Sequence, residues 1–302
     1  MGRVIFCVRG MVVIILLLVG ISCPRFKRNP NLRLLLKEEN YSLLNPRWTR
    51  GGWIYYIRCD HEKDGEYGPG EIWRIKDDGQ SNELVFPESA INMDISPSET
   101  LLAAFTSEPY GMYSPLILYN VKTAEIKTLA NGYYPCIGLQ FGTADTLVYY
   151  SDRYGLYRIN LNNNVDTLII SSNIGAFSIY NDSLAYYVHT NTPAKEYVVD
   201  IINNVILYEF SEFGSLCVSF FPYSSDSIIT AWEHSGIFII SISAREKTEL
   251  DVRPYEVTVW AALGNCIDFN PLDSDQIVFC ATRSCQEGFV YGGFELWILE
   301  KF

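Results

Sequence analysis

At 302 residues, 48% hydrophobic and 14% aromatic, the chain can bury one large core or two ordinary ones. Its 35 acidic side chains outweigh 23 basic ones for a formal charge of −12, which sets nucleic acid aside as a partner. Tyr (21) and Phe (16) are abundant and long Leu/Ala/Glu/Lys stretches are missing, so the composition favours sheet over helix.

Residues 1–22 read as an export signal. Arg3 and Arg9 form a basic start, 11–21 is an unbroken apolar run too short to span a bilayer comfortably, and Gly20-Ile21-Ser22 puts small residues where cleavage occurs. Cys23 follows at the place where a bacterial lipoprotein signal carries its lipidated residue. Lipidation, plain cleavage and an uncleaved anchor all stay open. The expected address is the periplasm or outer cell surface, with membrane contact only through this N-terminal anchor. Cleavage would remove two Arg and no acid, taking the formal charge from −12 to −14. Residues 23–32 read as a tether whose Arg25, Lys27 and Arg28, with Arg33, are either solvated or rest on anionic headgroups.

From residue 33 to 302 one apolar strand pattern recurs: Trp53-Ile-Tyr-Tyr-Ile, Leu101-Leu-Ala-Ala-Phe, Thr146-Leu-Val-Tyr-Tyr, Ser183-Leu-Ala-Tyr-Tyr, Ser227-Ile-Ile-Thr-Ala and Gln276-Ile-Val-Phe-Cys, spaced 48, 45, 37, 44 and 49 residues apart. A shorter strand and a turn precede each copy, the turns being rich in Pro, Ser and Asp, as in Ile95-Ser96-Pro97. A third strand follows, as in Glu71-Ile-Trp-Arg-Ile and Gly155-Leu-Tyr-Arg-Ile, and a fourth closes five of the units, as in Glu83-Leu-Val-Phe and Val205-Ile-Leu-Tyr. Four antiparallel strands at this spacing predict an all-β, six-bladed β-propeller of four-stranded antiparallel blades. The sixth unit lacks its outer strand, and Arg33-Leu-Leu-Leu-Lys-Glu ahead of the first has the pattern to supply it, closing the last blade and hiding its edge.

These units resemble the repeats of the TolB-like propeller family, which carry a Ser-Pro-Asp-Gly turn and a Leu-Tyr/Trp-x-Ile-aspartate third strand. The resemblance rests on Ile95-Ser96-Pro97-Ser98-Glu99, on Ile72-Trp73-Arg74-Ile75 with Asp78-Gly79, and on Leu156-Tyr157-Arg158-Ile159. It implies a six-bladed envelope propeller that binds proteins, and it does not imply an enzyme.

In an antiparallel meander, turns of the same parity lie at one end. The long loops 59–70, 107–114, 251–265 and 283–293 are therefore expected on one face, in one sector. They carry Tyr67, Tyr110, Tyr113, Tyr255, Trp260, Phe289 and Tyr291 as a candidate recognition patch for a protein or a carbohydrate. The alternative is that these aromatics merely tuck onto the blade tops.

Asp60-x-Glu62-x-Asp64-Gly65 with Glu71 matches the spacing of a calcium loop, but Lys63 lies inside it and no helices flank it, so a solvated acidic hairpin is the favoured reading and no cofactor or metal is assigned. His61, His189 and His234 belong to units too far apart to share one metal. Cys136, Cys217 and Cys266 open equivalent strands and read as buried packing residues, with a Cys280–Cys285 disulfide as an alternative.

The chain has no nucleophile elbow, phosphate loop or dinucleotide fingerprint, so no catalytic residue is assigned. The leading expectation is a non-catalytic envelope scaffold for protein or ligand binding. The alternatives are a carbohydrate-binding module, or a metal-dependent hydrolase or lyase working at the central mouth, where Asp94, Asp268 and Glu108 are available. Three or four convergent His, Asp or Glu at the axis would favour the enzyme; an axis lined by Cys136, Cys217 and Cys266 would favour the scaffold.

Overall fold

The computed structural model describes residues 29–60, 68–106, 113–133, 138–152, 154–189, 195–211, 217–232, 236–252, 255–256, 266–283 and 294–302. Among them the regular elements are all strands, and no helix is long and apolar enough to cross a membrane. Residues 1–28, with the expected signal and Cys23, lie outside the described residues.

After β1 (Leu32–Leu36), the strands β2 (Tyr41–Trp48), β3 (Trp53–Asp60), β4 (Gly70–Lys76), β5 (Glu83–Ile95), β6 (Leu101–Thr106), β7 (Tyr113–Asn120) and β8 (Ile126–Tyr133) form one antiparallel meander. The sequence pattern separates Glu83-Leu-Val-Phe from the strand at Ile91, yet the chain runs through both as the single strand β5. Pro87 cannot give an N–H to a ladder, and the pairing shifts register on both sides of it, against Gly70 and Ile72 of β4 and against Thr106 and Phe105 of β6. β5 thereby passes from an exposed outer half to a buried inner half and serves two four-stranded units.

Three separate four-stranded sheets follow: β9 (Gly138–Phe141) to β12 (Val165–Ser171) through β10 (Leu147–Asp152) and β11 (Gly155–Asn160); β13 (Ile174–Tyr180) to β16 (Val205–Phe210) through β14 (Leu184–His189) and β15 (Lys195–Asp200); and β17 (Cys217–Phe220) to β20 (Glu246–Leu250) through β18 (Ser227–Trp232) and β19 (Gly236–Ser241). The last sheet joins β21 (Tyr255–Glu256), β22 (Ile267–Asn270), β23 (Asp273–Arg283) and β24 (Glu295–Glu300), and β1 adds to its edge.

β1 lies antiparallel to β24, Leu32 opposite Leu299 and Leu34 opposite Trp297. Arg33 Nε meets Glu300 Oε1 at 2.9 Å and Lys37 Nζ meets Glu295 Oε1 at 2.6 Å, while Leu32 and Leu35 are buried. The start of the described chain therefore covers an edge that would otherwise present unpaired amides and carbonyls.

Second strands are buried on both faces because sheet packs on sheet, which is why they read as continuous apolar runs rather than alternating ones. Outer strands such as β12 and β16 are largely exposed. The recurring tyrosines bury their rings and satisfy their hydroxyls further out in the sheet: Tyr56 donates to Asn82 Oδ1, just before β5, at 2.7 Å, Tyr150 to Asp166 Oδ2 on the outer strand β12 at 2.7 Å, and Tyr186 to Glu196 on the third strand β15. Third strands end on Asn120, Asn160 or Asp200, whose side chains accept backbone N–H groups two residues on and so turn the chain into the outer strand. Cys59, Cys217, Cys266 and Cys280 are buried, in line with packing roles, while Cys285, the other half of the expected bridge, lies outside the described residues.

The inner strands touch in a closed circuit, β2 with β5, β5 with β9, β9 with β13, β13 with β17, β17 with β22 and β22 with β2. The molecule is thus an all-β, propeller-like arrangement of antiparallel four-stranded sheets.

Candidate functional site at the mouth of the inner strands

Each inner strand carries a polar residue one step before its last apolar residue: Arg47, Asp94, Gln140, Ser178, Ser219 and Asp268 stand before Trp48, Ile95, Phe141, Ile179, Phe220 and Phe269. Several of these side chains take a backbone N–H from the neighbouring strand. Asp94 Oδ2 accepts Phe141 N–H at 2.5 Å, Gln140 Oε1 accepts Ile179 N–H at 2.8 Å and returns a bond from Nε2 to Ile179 O at 3.0 Å, and Ser178 Oγ accepts Phe220 N–H at 3.1 Å. Asp268 Oδ2 accepts Trp48 N–H at 2.7 Å, joining β22 to β2. Inner strands of different sheets share no ladder, so these bonds satisfy amides that would otherwise be buried without a partner.

Arg47 cannot act as an acceptor, and its position is answered differently. Its Nε donates to Asp94 Oδ1 at 3.0 Å and its Nη1 to Pro46 O at 3.1 Å, with both side chains of the ion pair about nine-tenths buried. Burial raises the Asp94 carboxyl above the ordinary carboxylate range, opposed by Arg47 and the Phe141 and Ile95 amides. Asp268 is pushed up to about 6, by burial first, with the Asp94 charge adding to the rise and Arg47 and the Trp48 amide opposing it.

The neck above the mouth is filled. Asn45 Nδ2 donates to Asn92 Oδ1 at 2.6 Å, Cys266 N–H points to Cys217 Sγ at 3.0 Å, and a Cβ on Gly138 would run into the Phe177 ring. Below it the six inner strands open onto a cavity of about 390 Å³ touching Arg47, Trp48, Asp94, Gln140, Ser219 and Asp268. A second basin of about 240 Å³ shares much of that wall and adds Tyr180, Phe220 and Phe269. Trp48 lines both, is 6% exposed, and its indole Nε1 has no acceptor among the described residues.

The sequence expectations meet this geometry unevenly. Asp94 and Asp268 are brought together at the mouth, while Cys217 and Cys266 sit above them, so the axis carries both acids and small buried thiols. Among the described residues no group of three His, Cys, Asp or Glu is placed to hold a metal. Glu108, Cys136, His61 and His234 lie outside the described residues, as do Tyr67, Tyr110, Trp260, Phe289 and Tyr291. Tyr113 opens β7 and Tyr255 opens β21, with their side chains outside the described set. Of the calcium-loop pattern only Asp60 and Glu71 are described; Glu71 receives Trp73 Nε1 at 3.0 Å and lies 3.8 Å from Arg58. Sequence reasoning missed Arg47, Gln140, Ser178 and Ser219, although for the last three the repeated polar position was there to be aligned.

No protein-family model matches the chain, and no curated protein does. Solved structures do. U3-55K matches at a TM-score of 0.60 with 11% identity over 90% of this chain and 99% of that one. TolB from Acinetobacter baumannii matches at 0.53 with 16% identity, covering 68% of this chain and 53% of the TolB chain. An oligogalacturonate lyase in complex with manganese matches at 0.52 with 11% identity over 90% and 93%. At these identities the likeness is one of fold.

Proposed function

We propose that this chain is a non-catalytic binding scaffold of the cell envelope, a six-bladed β-propeller exported by residues 1–22, held by a tether at 23–32 with or without a lipid on Cys23, and presenting the mouth of its inner strands to a partner protein. The observation that carries the reading is the use made of the mouth's carboxylates. Asp94 and Asp268 accept backbone amides of neighbouring strands, a structural duty, while the cavity beside them stays open and is walled by aromatic and small polar groups. The blade count of six is supported by the circuit of β2, β5, β9, β13, β17 and β22, with β5 serving two blades and β1 completing the last. Protein binding by propellers of this build is consistent with the likeness to TolB and U3-55K. The loop patch expected from Tyr67, Tyr110, Tyr113, Tyr255, Trp260, Phe289 and Tyr291 is proposed as a second contact surface for protein or carbohydrate.

The test is capture of envelope proteins on the immobilised full chain, beside Trp48→Ala and a Tyr113→Ala/Trp260→Ala/Tyr291→Ala variant. The reading expects a discrete companion lost with one of the two variants. Metal-dependent hydrolysis or elimination by the purified chain, abolished by Asp268→Asn, would overturn it.

A further inference from the structure

The mouth holds an unbalanced charge. β2 brings Arg47, β5 brings Asp94, β22 brings Asp268 and the turn after β13 brings Asp182, which accepts the Thr143 N–H, whereas the strands β9, β13 and β17 themselves bring only Gln140, Ser178 and Ser219. Arg50, on the turn after β2, reaches the rim and is exposed. Arg47 is committed to Asp94 through Nε. Asp268 has no ion pair within 4.0 Å among the described residues; its Oδ2 takes the Trp48 amide, and its half-buried side chain borders both basins. An ionised carboxylate in such a place loses hydration on burial, and the Arg47 charge, engaged with Asp94, offsets that loss only in part.

A second feature of the same wall is independent of the acids. The Trp48 indole N–H, almost fully buried, has no acceptor among the described residues. A donor without an acceptor among the described residues and a carboxylate without an ion pair, both on residues that wall a cavity with Phe141, Phe220 and Phe269, describe the complement of one ligand: a cationic head with a hydrogen-bond acceptor close by.

We infer that the mouth binds a single ammonium or guanidinium group against Asp268, supplied by a basic side chain of a partner segment whose own carbonyl lies toward Trp48. This rests on the mouth being the binding surface proposed above. Free polyamines share the cation and lack the carbonyl, so the two sources can be separated. The raised carboxyl of Asp268 adds a pH signature: the site is competent when Asp268 is ionised and loses competence as it takes up a proton near pH 6. Arg47 and Asp94 face the same carboxylate from β2 and β5, and Asp182, on the turn after β13, lines the second basin with it; among the described residues the strands β9, β13 and β17 themselves bring no charged group to the mouth.

The experiment is calorimetric titration of the full chain with Nα-acetyl-lysine methylamide, Nα-acetyl-arginine methylamide, spermidine and, as the uncharged control, Nα-acetyl-norleucine methylamide. At pH 7.5 at least one of the two basic amides should bind about tenfold more tightly than the norleucine control and than spermidine, and that binding should weaken about tenfold by pH 5. Asp268→Asn, which keeps an oxygen for the Trp48 amide, should lose the preference for charge and the pH dependence while melting normally. Equal binding of the control, or an unaltered preference in Asp268→Asn, overturns the inference; tighter binding of spermidine than of either amide overturns the peptide source. If none of these probes binds while a companion protein is still captured, the cation site fails and the scaffold reading stands. If the basic amides bind and no companion is captured, the reverse holds.

Discussion

The carboxylate of Asp268 accepts the backbone N–H of Trp48 at 2.7 Å, across 220 residues of sequence. It is the counterpart, at the seam of the ring, of the bonds that Asp94, Gln140 and Ser178 make to the strands after them. The β1–β24 ladder closes the same seam at the rim. The start and the end of the described chain are therefore tied at the centre and at the edge of the last sheet.

Asp268→Asn is expected to be at least as stable as the parent at pH 7.5. The Asp268 carboxyl titrates at about 6 in the folded protein, above the ordinary value near 4 of the unfolded chain. The folded state therefore binds the extra proton, and its contribution is fully present below pH ~4 and lost as pH rises through 6. Urea unfolding of the parent at pH 5 and 7.5 should show this group adding on the order of 1–2 kcal/mol at the lower pH. The difference should shrink by that amount in Asp268→Asn. Asp268→Leu, which leaves the Trp48 amide without an acceptor, should cost about 1–3 kcal/mol at either pH.

Arg47→Met is expected to cost about 3–5 kcal/mol, because it strands the Asp94 carboxylate in a buried site. Arg47→Met/Asp94→Asn should recover most of the loss, since Asn keeps an acceptor for the Phe141 amide. Denaturant midpoints of the two variants decide this, and equal midpoints would show that the charge pair carries no weight.

Deleting residues 24–40 should lower the melting temperature by roughly 10 °C or more and promote aggregation. The deletion removes the buried Leu32 and Leu35, each worth ~1.5–3 kcal/mol, and bares the edge of β24. An unchanged melt in differential scanning calorimetry would contradict the closure.

Gly138→Ala should destabilise by about 1–3 kcal/mol, because the new methyl meets the Phe177 ring in the packed neck. Adding Phe177→Leu should relieve part of that cost, read from the same unfolding curves.

The strand repeats were legible because a strand buried on both faces needs an unbroken apolar run, and Trp53-Ile-Tyr-Tyr-Ile and its copies supply one at blade spacing. The continuity of β5 was hidden by Pro87, which reads as a break in sequence but here marks a shift from one ladder to the next. Asp94 and Asp268 were singled out as acids without their latch role, which exists only once neighbouring strands supply unpaired amides. Arg47 was hidden by its own repeat: Asn45-Pro46 makes a bulge between Leu44 and Arg47, with Asn45 at a φ of 54°, so the first inner strand does not align residue for residue with the others. The loop aromatics and Cys23 fall outside the described residues and stand as sequence expectations.

Native-state amide hydrogen exchange is the most direct measurement of the closed inner circuit. The account predicts that the Trp48, Phe141, Ile179 and Phe220 amides exchange only through global unfolding, tracking the denaturant dependence of the whole molecule. Exchange of Trp48 at the rate of an open loop, with the other three still protected, would mean that the last sheet does not close on the first.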